Sequence, residues 1–370
     1  MSRQNAPFRF KVQARMKIAL DAMGGDFGPE PLVAGAVEAV RAHRVGVSLV
    51  GRPEALEAEL RKHGLKNGEM GLEIVPALDV VGMHEKPHEC VKRRETSIRV
   101  ACNLVRDGKA QAVVSAGHTG ATLGVALLAL RRSHGINRPG LGTIMPTANP
   151  GKPTLLIDVG AVVDCKPVHL VQFAVMGMVY MRDMYGCESP RIGLLSIGEE
   201  EHKGNEQTLE TIELLKRAEL NFLGNAEGRD VCAGTFDVVV CDGFVGNSML
   251  KMAEGVASII RQELKQQLTK NLWRKVLAGM LAPAFRDFKK RFDHTEYGGA
   301  PLLGLRGNTI VAHGRSNANA IKNAIRVASE CVNHNIVDLI ESEIMRRHAR
   351  TEEVPTHGKI LTPGPQPVHV

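Results

Sequence analysis

The sequence predicts an α/β protein with a doubly wound, mostly parallel sheet and a protruding basic amphipathic helical hairpin. Short β-rich runs alternate with helical patterns, which is typical of a parallel sheet with helices on both faces. The runs are almost continuously apolar, as expected of strands buried on both faces. The chain has 370 residues, 44% hydrophobic and 24% charged, so collagen, a coiled coil and wholesale disorder are excluded.

Six units repeat the order strand, Gly-containing polar loop, helix. Their strands are predicted at Lys17–Asp21, Gln111–Ser115, Thr154–Val159, Arg191–Ile197, Asp237–Val240 and Thr309–Ala312. The helices that follow are expected from about 30, at 121–132, from about 168, from about 206, after 247, and from 319 to about 347.

Each polar loop stands at the carboxyl end of a strand, where ligands bind in open α/β sheets. The next helix offers free N–H groups and the positive end of its dipole, a setting that suits an anion. Glycine also serves ordinary tight turns between a strand and a helix. With six such loops in one chain, we expect them to meet at one edge and form a site for phosphate or another anion.

The formal net charge of +7 is concentrated in two segments. Residues 1–15 carry four basic groups and no acid, and residues 261–293 carry nine basic and three acidic groups. The remainder is slightly acidic, which favours a local anionic partner over a surface that coats nucleic acid. Residues 1–15 are expected to be a disordered basic extension, and the Pro-rich residues 349–370 a disordered tail.

Residues 256–293 are interpreted as an amphipathic helical insertion in an α/β domain of residues 16–348. Apolar residues recur every four positions from Ile260 to Met280 on one predicted helix, which Pro283 should end or kink. A basic amphipathic hairpin is typical of an element that lies on an anionic membrane surface. A helix pair packed on the domain or in a dimer interface fits the same pattern. The side chains expected to contact the membrane are Leu272, Trp273, Leu277 and Met280.

No metal or cofactor is predicted. His84, His88 and Cys90 are spaced like part of a metal site, but no fourth ligand is evident and Pro87 interrupts them. The loop after the first strand lacks the spaced glycines of a dinucleotide site. Seven cysteines without a Cys-x-x-Cys pair, and no apolar run near the ~18 residues of a membrane span, indicate a cytoplasmic chain with reduced thiols.

Six motifs stand in order between about residues 16 and 340. They are Asp21-Ala22-Met23-Gly24-Gly25-Asp26, Ser115-Ala116-Gly117-x-Thr119-Gly120-Ala121, Asp158-Val159-Gly160-Ala161, Lys203-Gly204-Asn205-Glu206, Asp242-Gly243-Phe244-x-Gly246-Asn247 and Tyr297-Gly298-Gly299-Ala300. An ordered set is far more specific than any one of its motifs. Together they closely resemble the bacterial phosphate acyltransferases of phospholipid synthesis.

The resemblance implies an α/β fold related to isocitrate dehydrogenase and phosphotransacetylase. It implies a homodimer, peripherally associated with the inner face of the cell membrane. The implied reaction is reversible transfer of a fatty acyl group from acyl carrier protein to inorganic phosphate. The acyl phosphate would pass to a membrane glycerol-3-phosphate acyltransferase, and no cofactor or nucleic acid is implied.

Such a reaction needs no Ser-His-Asp triad and no metal, because the attacking phosphate oxygen is already anionic. The site must hold phosphate near the thioester carbonyl and stabilise the tetrahedral oxyanion. Lys203, in a loop just before a helix, is the first candidate for this cation, and Asn205 lies beside it. Pairing with the adjacent acids is the alternative for Lys203, and a helix cap is the alternative for Asn205.

Further candidates for substrate or phosphate binding stand in the other polar loops. They are Gly117, His118, Thr119, Gly120, Asp164, Lys166, Asn247 and His313. The alternatives are helix capping for Thr119 and Asn247, a salt bridge between Asp164 and Lys166, and a capping or core role for His313. Arg93, Arg94 and Ser97, expected on one helix, are candidates for phosphate or the acidic carrier protein, with a solvated basic face as the alternative.

His118 and Val162 stand where this family has Asn. Histidine can donate a hydrogen bond as Asn does and also titrates near neutral pH, whereas valine cannot hydrogen-bond through its side chain. Two alternatives therefore stay open. One is a non-catalytic relative that binds acyl carrier protein or membrane, and the other is a coenzyme A-dependent acyl or phospho transferase on the same fold.

Overall fold

All six predicted strand–loop–helix units are present in the computed structural model, which describes residues 16–283 and 294–352. The strands are β1 (Lys17–Asp21), β2 (Gly46–Gly51), β3 (Leu72–Pro76), β4 (Ala112–Ser115), β5 (Gly140–Met145), β6 (Thr154–Ile157), β7 (Ile192–Leu195), β8 (Phe222–Ala226), β9 (Val238–Val240), β10 (Ala300–Leu303) and β11 (Asn308–Val311). The helices are α1 (Pro29–His43), α2 (Pro53–Lys62), α3 (Pro87–Cys90), α4 (Ser97–Arg106), α5 (Thr119–Leu130), α6 (Pro167–Tyr185), α7 (Glu206–Arg217), α8 (Gly228–Ala233), α9 (Gly243–Thr269), α10 (Leu272–Met280), α11 (Ala318–Asn333) and α12 (Ile336–Glu352).

The strands form one sheet in the order β3-β2-β1-β4-β11-β10-β5-β6-β9-β7-β8. The first five in this order run parallel to one another, and so do the last four. Between them, β10 is antiparallel to β11 and to β5, and β5 is antiparallel to β6. The predicted mostly parallel sheet is confirmed, but its two parallel blocks point in opposite directions.

This reversal decides where the polar loops lie. The loops after β1, β4 and β11 stand at the carboxyl edge of the first block, and those after β6, β7 and β9 stand at the opposite edge. The expectation that all six loops meet at one edge of the sheet is therefore wrong. The strands that cause the reversal, β5 and β10, contain Gly or Pro, which weakens a strand pattern in the sequence.

Helices cover both faces of the sheet, as the apolar strands predicted. On β1, Ile18 and Leu20 belong to a core cluster with residues of α1 and α11. Ala19 points to the other face, where it joins a cluster with residues of α4 and α5. This alternation follows from the period of two in a strand, and it buries β1 on both sides.

Two predicted helices are each divided in the structure. The long C-terminal helix is α11 and α12, separated at Asn335, whose backbone has a positive φ of 51°. The apolar stripe is divided between α9 and α10 because Asn271 caps α10, accepting the Arg274 N–H at 2.9 Å. This break precedes Pro283, so a single helix through Met280 is wrong.

Parts of the predicted outer segments lie outside the described residues. These are residues 1–15, residues 284–293 of the insertion and the tail from residue 353. Helix α12 continues to Glu352, past the domain end expected at 348. Across the two ranges that the structure describes, no helix is both long and apolar enough to cross a membrane.

Candidate active site

The buried carboxylate of Asp158 organises the loop after β6. It accepts backbone N–H groups from Leu141 (3.0 Å), Gly160 (3.1 Å), Ala161 (2.9 Å) and Val162 (2.7 Å). These bonds favour the ionised carboxylate, but burial outweighs them and raises the pKa of Asp158 to about 6. The Asp158 side chain therefore fixes the backbone of this loop, which the sequence identified by its glycine.

The start of α9 is joined to this loop through main-chain atoms. The Gly243 N–H donates to the Val162 carbonyl at 2.8 Å. Asp242 caps the helix, and its Oδ1 accepts the N–H groups of Phe244 and Val245 at 2.9 Å each. Val162 thus holds the loop through its backbone N–H and carbonyl groups, which almost any residue type could supply. The loop geometry does not need the Asn that the family has at this position.

Asn247 lies on α9, on the side that faces the same loop. A Cβ added at Gly160 would lie 3.8 Å from the Asn247 Oδ1 atom. Close approach also explains Gly246, where a Cβ would meet the Asp158 carbonyl oxygen at 1.9 Å. The cap of α9 is Asp242, so the capping alternative for Asn247 is wrong and its exposed amide is open to a ligand.

Lys203 stands in the loop after β7, which is held through its main chain. The Asn225 amide donates to the carbonyls of Glu200 (2.8 Å) and Lys203 (3.3 Å). The Ser196 hydroxyl donates to the same Lys203 carbonyl at 3.1 Å. These bonds fix the backbone from which the Lys203 side chain extends.

Two of the three acids beside Lys203 are paired with other residues. Glu199 pairs with Arg229 at 2.7 Å, and Glu201 pairs with Lys216 at 2.7 Å. The side chain of Lys203 is exposed and forms no ion pair with any residue in the ranges 16–283 and 294–352. The alternative that neighbouring glutamates neutralise Lys203 is therefore not supported.

Asn205 is the N-cap of α7. Its Oδ1 accepts the Thr208 N–H at 2.9 Å and the Thr208 hydroxyl at 2.8 Å. The capping alternative is confirmed, and it leaves the amide nitrogen of Asn205 to donate elsewhere. One turn into α7, the Gln207 amide donates to the Cys165 carbonyl at 2.5 Å, so this helix is tied to the loop after β6.

Asp164 and Lys166 are both exposed in the loop after β6. No ion pair joins the two within the described part of the chain, so the salt-bridge alternative for Asp164 and Lys166 is not found. Lys166 is instead the N-cap residue of α6, and its N–H donates to Nδ1 of His169 at 3.0 Å. Both charged groups face solvent beside the Asp158 loop.

At the opposite edge, Asp21 joins the loops after β1 and β4. The Ser115 hydroxyl donates to Asp21 Oδ2 at 2.8 Å and accepts the Gly117 N–H at 3.1 Å. The loops touch so closely that a Cβ at Gly24 would lie 2.8 Å from the Gly117 nitrogen. Burial raises the pKa of Asp21, which performs here the role that Asp158 performs in the other block.

His118 caps α5 in place of the family's Asn. Its Nδ1 accepts the Ala121 N–H at 3.2 Å, which leaves Nε2 to carry the proton in the neutral ring. Thr119 is exposed as the first helical residue, so it is not the cap. A Cβ at Gly120 would lie 3.0 Å from Pro87 Cγ, so α3 packs against this helix start.

We expect His118→Ala to lower the free energy of unfolding by about 1 kcal/mol, because the cap of α5 is lost. His118→Asn supplies an equivalent acceptor and is expected to stay within about 0.5 kcal/mol of the wild type. Urea denaturation of the three proteins measures the difference. Equal losses in the two variants would contradict the capping role.

His313 belongs to the same edge as His118. Its exposed ring accepts the Arg315 N–H through Nδ1 at 3.0 Å, so it caps a turn and is not a core residue. The neighbouring Gly314 carbonyl accepts the Asp26 N–H at 2.8 Å, which ties the loop after β11 to the loop after β1.

The predicted helix that carries Arg93, Arg94 and Ser97 is wrong. Helix α3 ends at Cys90 and α4 begins at Ser97, so the two arginines lie in the turn between them. The reason is Thr96, whose hydroxyl caps α4 and starts a new helix there. Ser97 is buried beside the Asp21 carboxylate, whereas Arg94 is exposed.

Arg93 is engaged in ion pairs. Its guanidinium donates to Asp79 at 2.6 Å and to Glu85 at 2.5 Å. The hydrogen bond from Arg93 holds the pKa of Asp79 below its ordinary value. Through these contacts Arg93 fixes the loop before α3. Its contact with phosphate or a carrier protein stays a prediction.

The candidates therefore form two groups at opposite edges of the sheet. Asp158, Asp21 and Gln207 were not predicted; for the two aspartates, the available sequence signal was an Asp at the end of a strand before a glycine loop. At the starts of α5, α7, α9 and α11, backbone N–H groups donate to the side chain of the helix's own N-cap residue, so they are not all free for an anion. The group with Lys203, Asn205 and Asn247 combines a cation with amide donors, which can hold phosphate and stabilise an oxyanion.

The family described as "Fatty acid synthesis protein" matches residues 16–339. A phosphate acyltransferase of Cyanothece sp. is 49% identical over 330 residues, which cover 89% of this chain and 95% of the relative. One from Geobacter sulfurreducens is 48% identical over 333 residues, with the same two coverages.

Among solved structures, a phosphotransacetylase from Streptococcus pyogenes is similar with a TM-score of 0.57 and 19% identity. The match covers 86% of this chain and 94% of that chain, which confirms the predicted phosphotransacetylase-like fold. The family match over residues 16–339 and the identity of 48–49% to the two relatives establish the family. This chain belongs to the phosphate acyltransferase family.

Proposed function

We propose that this phosphate acyltransferase moves a fatty acyl group from acyl carrier protein to inorganic phosphate, reversibly and without a cofactor. Its family supports acyl transfer to phosphate, and the carrier protein as donor is our inference. The observation that carries the proposed site is the exposed Lys203, free of its neighbouring acids and next to Asn205. A membrane glycerol-3-phosphate acyltransferase is the proposed consumer of the acyl phosphate, for phosphatidic acid synthesis.

In the proposed mechanism, the Lys203 ammonium and the Asn205 amide nitrogen hold the phosphate. A phosphate oxygen attacks the thioester carbonyl carbon, the C–S bond breaks, and the phosphate proton goes to the departing thiolate. The Lys203 ammonium and the Asn247 amide donate to the carbonyl oxygen as it gains charge. Donors aimed at this oxyanion act only in the transition state and therefore raise the rate. Asp164 and Lys166 border this site as further candidates for phosphate contact.

Residues of the other edge stay predictions for substrate contact. They are Gly117, His118, Thr119, Gly120 and His313, with Arg94 as the exposed candidate for an acidic carrier protein.

The proposal is tested by trapping acyl phosphate with hydroxylamine. Purified full-length protein with palmitoyl carrier protein should form hydroxamate only when phosphate is present. If no phosphate-dependent hydroxamate forms, the proposal is rejected. Competition between carrier-protein and coenzyme A thioesters decides the donor, and revival of turnover by Asn at positions 118 and 162 would favour the non-catalytic alternative.

We propose a homodimer because α9 exposes a row of apolar residues. Met252, Val256, Ile259 and Ile260 recur at helical spacing, and all four are exposed in one chain. A second copy would cover this face. Sedimentation equilibrium of the full chain should give twice the mass of the monomer, and a monomeric mass would reject the dimer.

We propose peripheral association with the membrane through α10. Leu272, Trp273 and Met280 are 77%, 79% and 75% exposed, and Leu277 lies on the same face. Arg274 and Lys275 stand among these residues and suit an anionic surface.

We expect Leu272→Glu with Trp273→Glu to weaken binding to anionic vesicles at least about 10-fold, because two apolar groups that would enter the membrane are replaced by charges that the surface repels. Vesicle sedimentation measures the effect. Leu128→Glu changes an exposed apolar residue on α5 and serves as the control. Undiminished binding of the double variant would show that α10 is not the anchor.

A further inference from the structure

Apolar side chains stand exposed at the same edge as Lys203 and Asn247. Val163, Ile197 and Phe244 are 57%, 82% and 66% exposed. They follow β6, β7 and β9, which are neighbours in the sheet in the order β6-β9-β7. Because adjacent strands lie ~4.8 Å apart, the three loops stand side by side.

The backbone places these residues against the polar candidates. Val163 and Phe244 directly follow Val162 and Gly243, which are joined by a hydrogen bond of 2.8 Å. Phe244 precedes Asn247 by three residues on α9, so the two lie on the same side of the helix.

Ile197 borders Lys203 in the same way. It directly precedes Gly198, where an added Cβ would lie 3.2 Å from the Lys203 Cγ atom. Val163, Ile197 and Phe244 therefore each border the site proposed for phosphate and the thioester carbonyl.

Hydrogen bonds to the N–H and to the carbonyl of Phe244 fix its backbone. Its N–H donates to Asp242 at 2.9 Å, and its carbonyl accepts the Ser248 hydroxyl at 2.8 Å. Single exposed apolar residues are normal on a protein surface, but an apolar group held on three adjacent site loops indicates an apolar ligand.

We propose that Val163, Ile197 and Phe244 bind the fatty acyl chain next to its reacting carbonyl, so that the enzyme favours long acyl chains over short ones. This inference rests on the proposed function. Each methylene group that leaves water on this surface would strengthen binding by about fourfold. A long chain would therefore gain most from the contact.

The test is a double variant, Ile197→Ala with Phe244→Ala, assayed with palmitoyl and hexanoyl carrier-protein donors. We expect the ratio of kcat/KM for the long donor to that for the short donor to fall about 15-fold, the effect of two methylene contacts. Leu128→Ala, an exposed apolar residue on α5, should leave the ratio unchanged. An unchanged ratio in the double variant would overturn the proposal.

Two further measurements distinguish failure of the acyl-chain surface from failure of the proposed function. If the wild type forms no acyl phosphate from either donor, the proposed function fails. Calorimetric binding of hexadecylphosphonate then still tests the surface, because an equal Kd in the wild type and the double variant overturns it. If both donors lose activity equally while the sedimentation mass falls, the surface is an interface between copies and the proposal is wrong.

Discussion

Replacing Lys203 with methionine is expected to lower the rate of acyl phosphate formation by about 10²–10³-fold, the usual effect of losing one oxyanion donor. Methionine keeps the length of the side chain and removes its charge. The ammonium has no ion pair to release among the described residues, so the loss reflects contacts with phosphate and the developing oxyanion. The hydroxamate assay at saturating phosphate measures kcat, and its phosphate dependence measures KM.

The matched control is Lys109→Met, because Lys109 is also an exposed lysine but lies in the turn between α4 and β4. Its variant should stay within about twofold of the wild type, since isolated surface charges contribute little. Lys203→Arg should recover part of the rate by restoring the charge. If Lys203→Met keeps wild-type kcat and KM, Lys203 is not part of the reaction site.

Local patterns predicted the strands that feed polar loops because each is an apolar run closed by a glycine. They did not predict β5, in which Gly140 and Gly142 interrupt the apolar pattern, or β10, which contains Pro301. These two strands reverse the second parallel block. The direction of a block depends on which distant strands pair, and no local period in the sequence carries that information.

The candidate site divides in the same way between local and distant contacts. Asn205 and Asn247 were found because each stands in a glycine motif before or at a helix start. Asp158 accepts N–H groups from Gly160 to Val162 nearby in the chain, but its burial between strands and its bond to Leu141, 17 residues away on another strand, are not visible in the local pattern. Gln207 was missed because its partner, the Cys165 carbonyl, is 42 residues away.

Removing the Asp158 carboxylate is expected to lower the free energy of unfolding by about 3–5 kcal/mol. In Asp158→Ala the N–H groups of four residues lose their acceptor inside the protein, and the loop that faces Asn247 loses its fixed backbone. Asp164→Ala, an exposed acid of the same loop, should stay within about 0.5 kcal/mol of the wild type. Urea denaturation at neutral pH compares the three proteins.

The pH dependence of stability tests the ionisation of Asp158 itself. Its pKa is about 6 in the folded protein against an ordinary value of 3.8, so the folded state binds more protons between these values. The free energy of unfolding should therefore fall as pH rises, by about 1.4 kcal/mol for this group between pH 5 and pH 8. Asp158→Asn lacks this ionisation, so the difference between wild type and variant isolates it. If the difference in free energy of unfolding between wild type and variant does not change with pH, the hydrogen bonds from the four N–H groups outweigh burial and hold the pKa of Asp158 at its ordinary value.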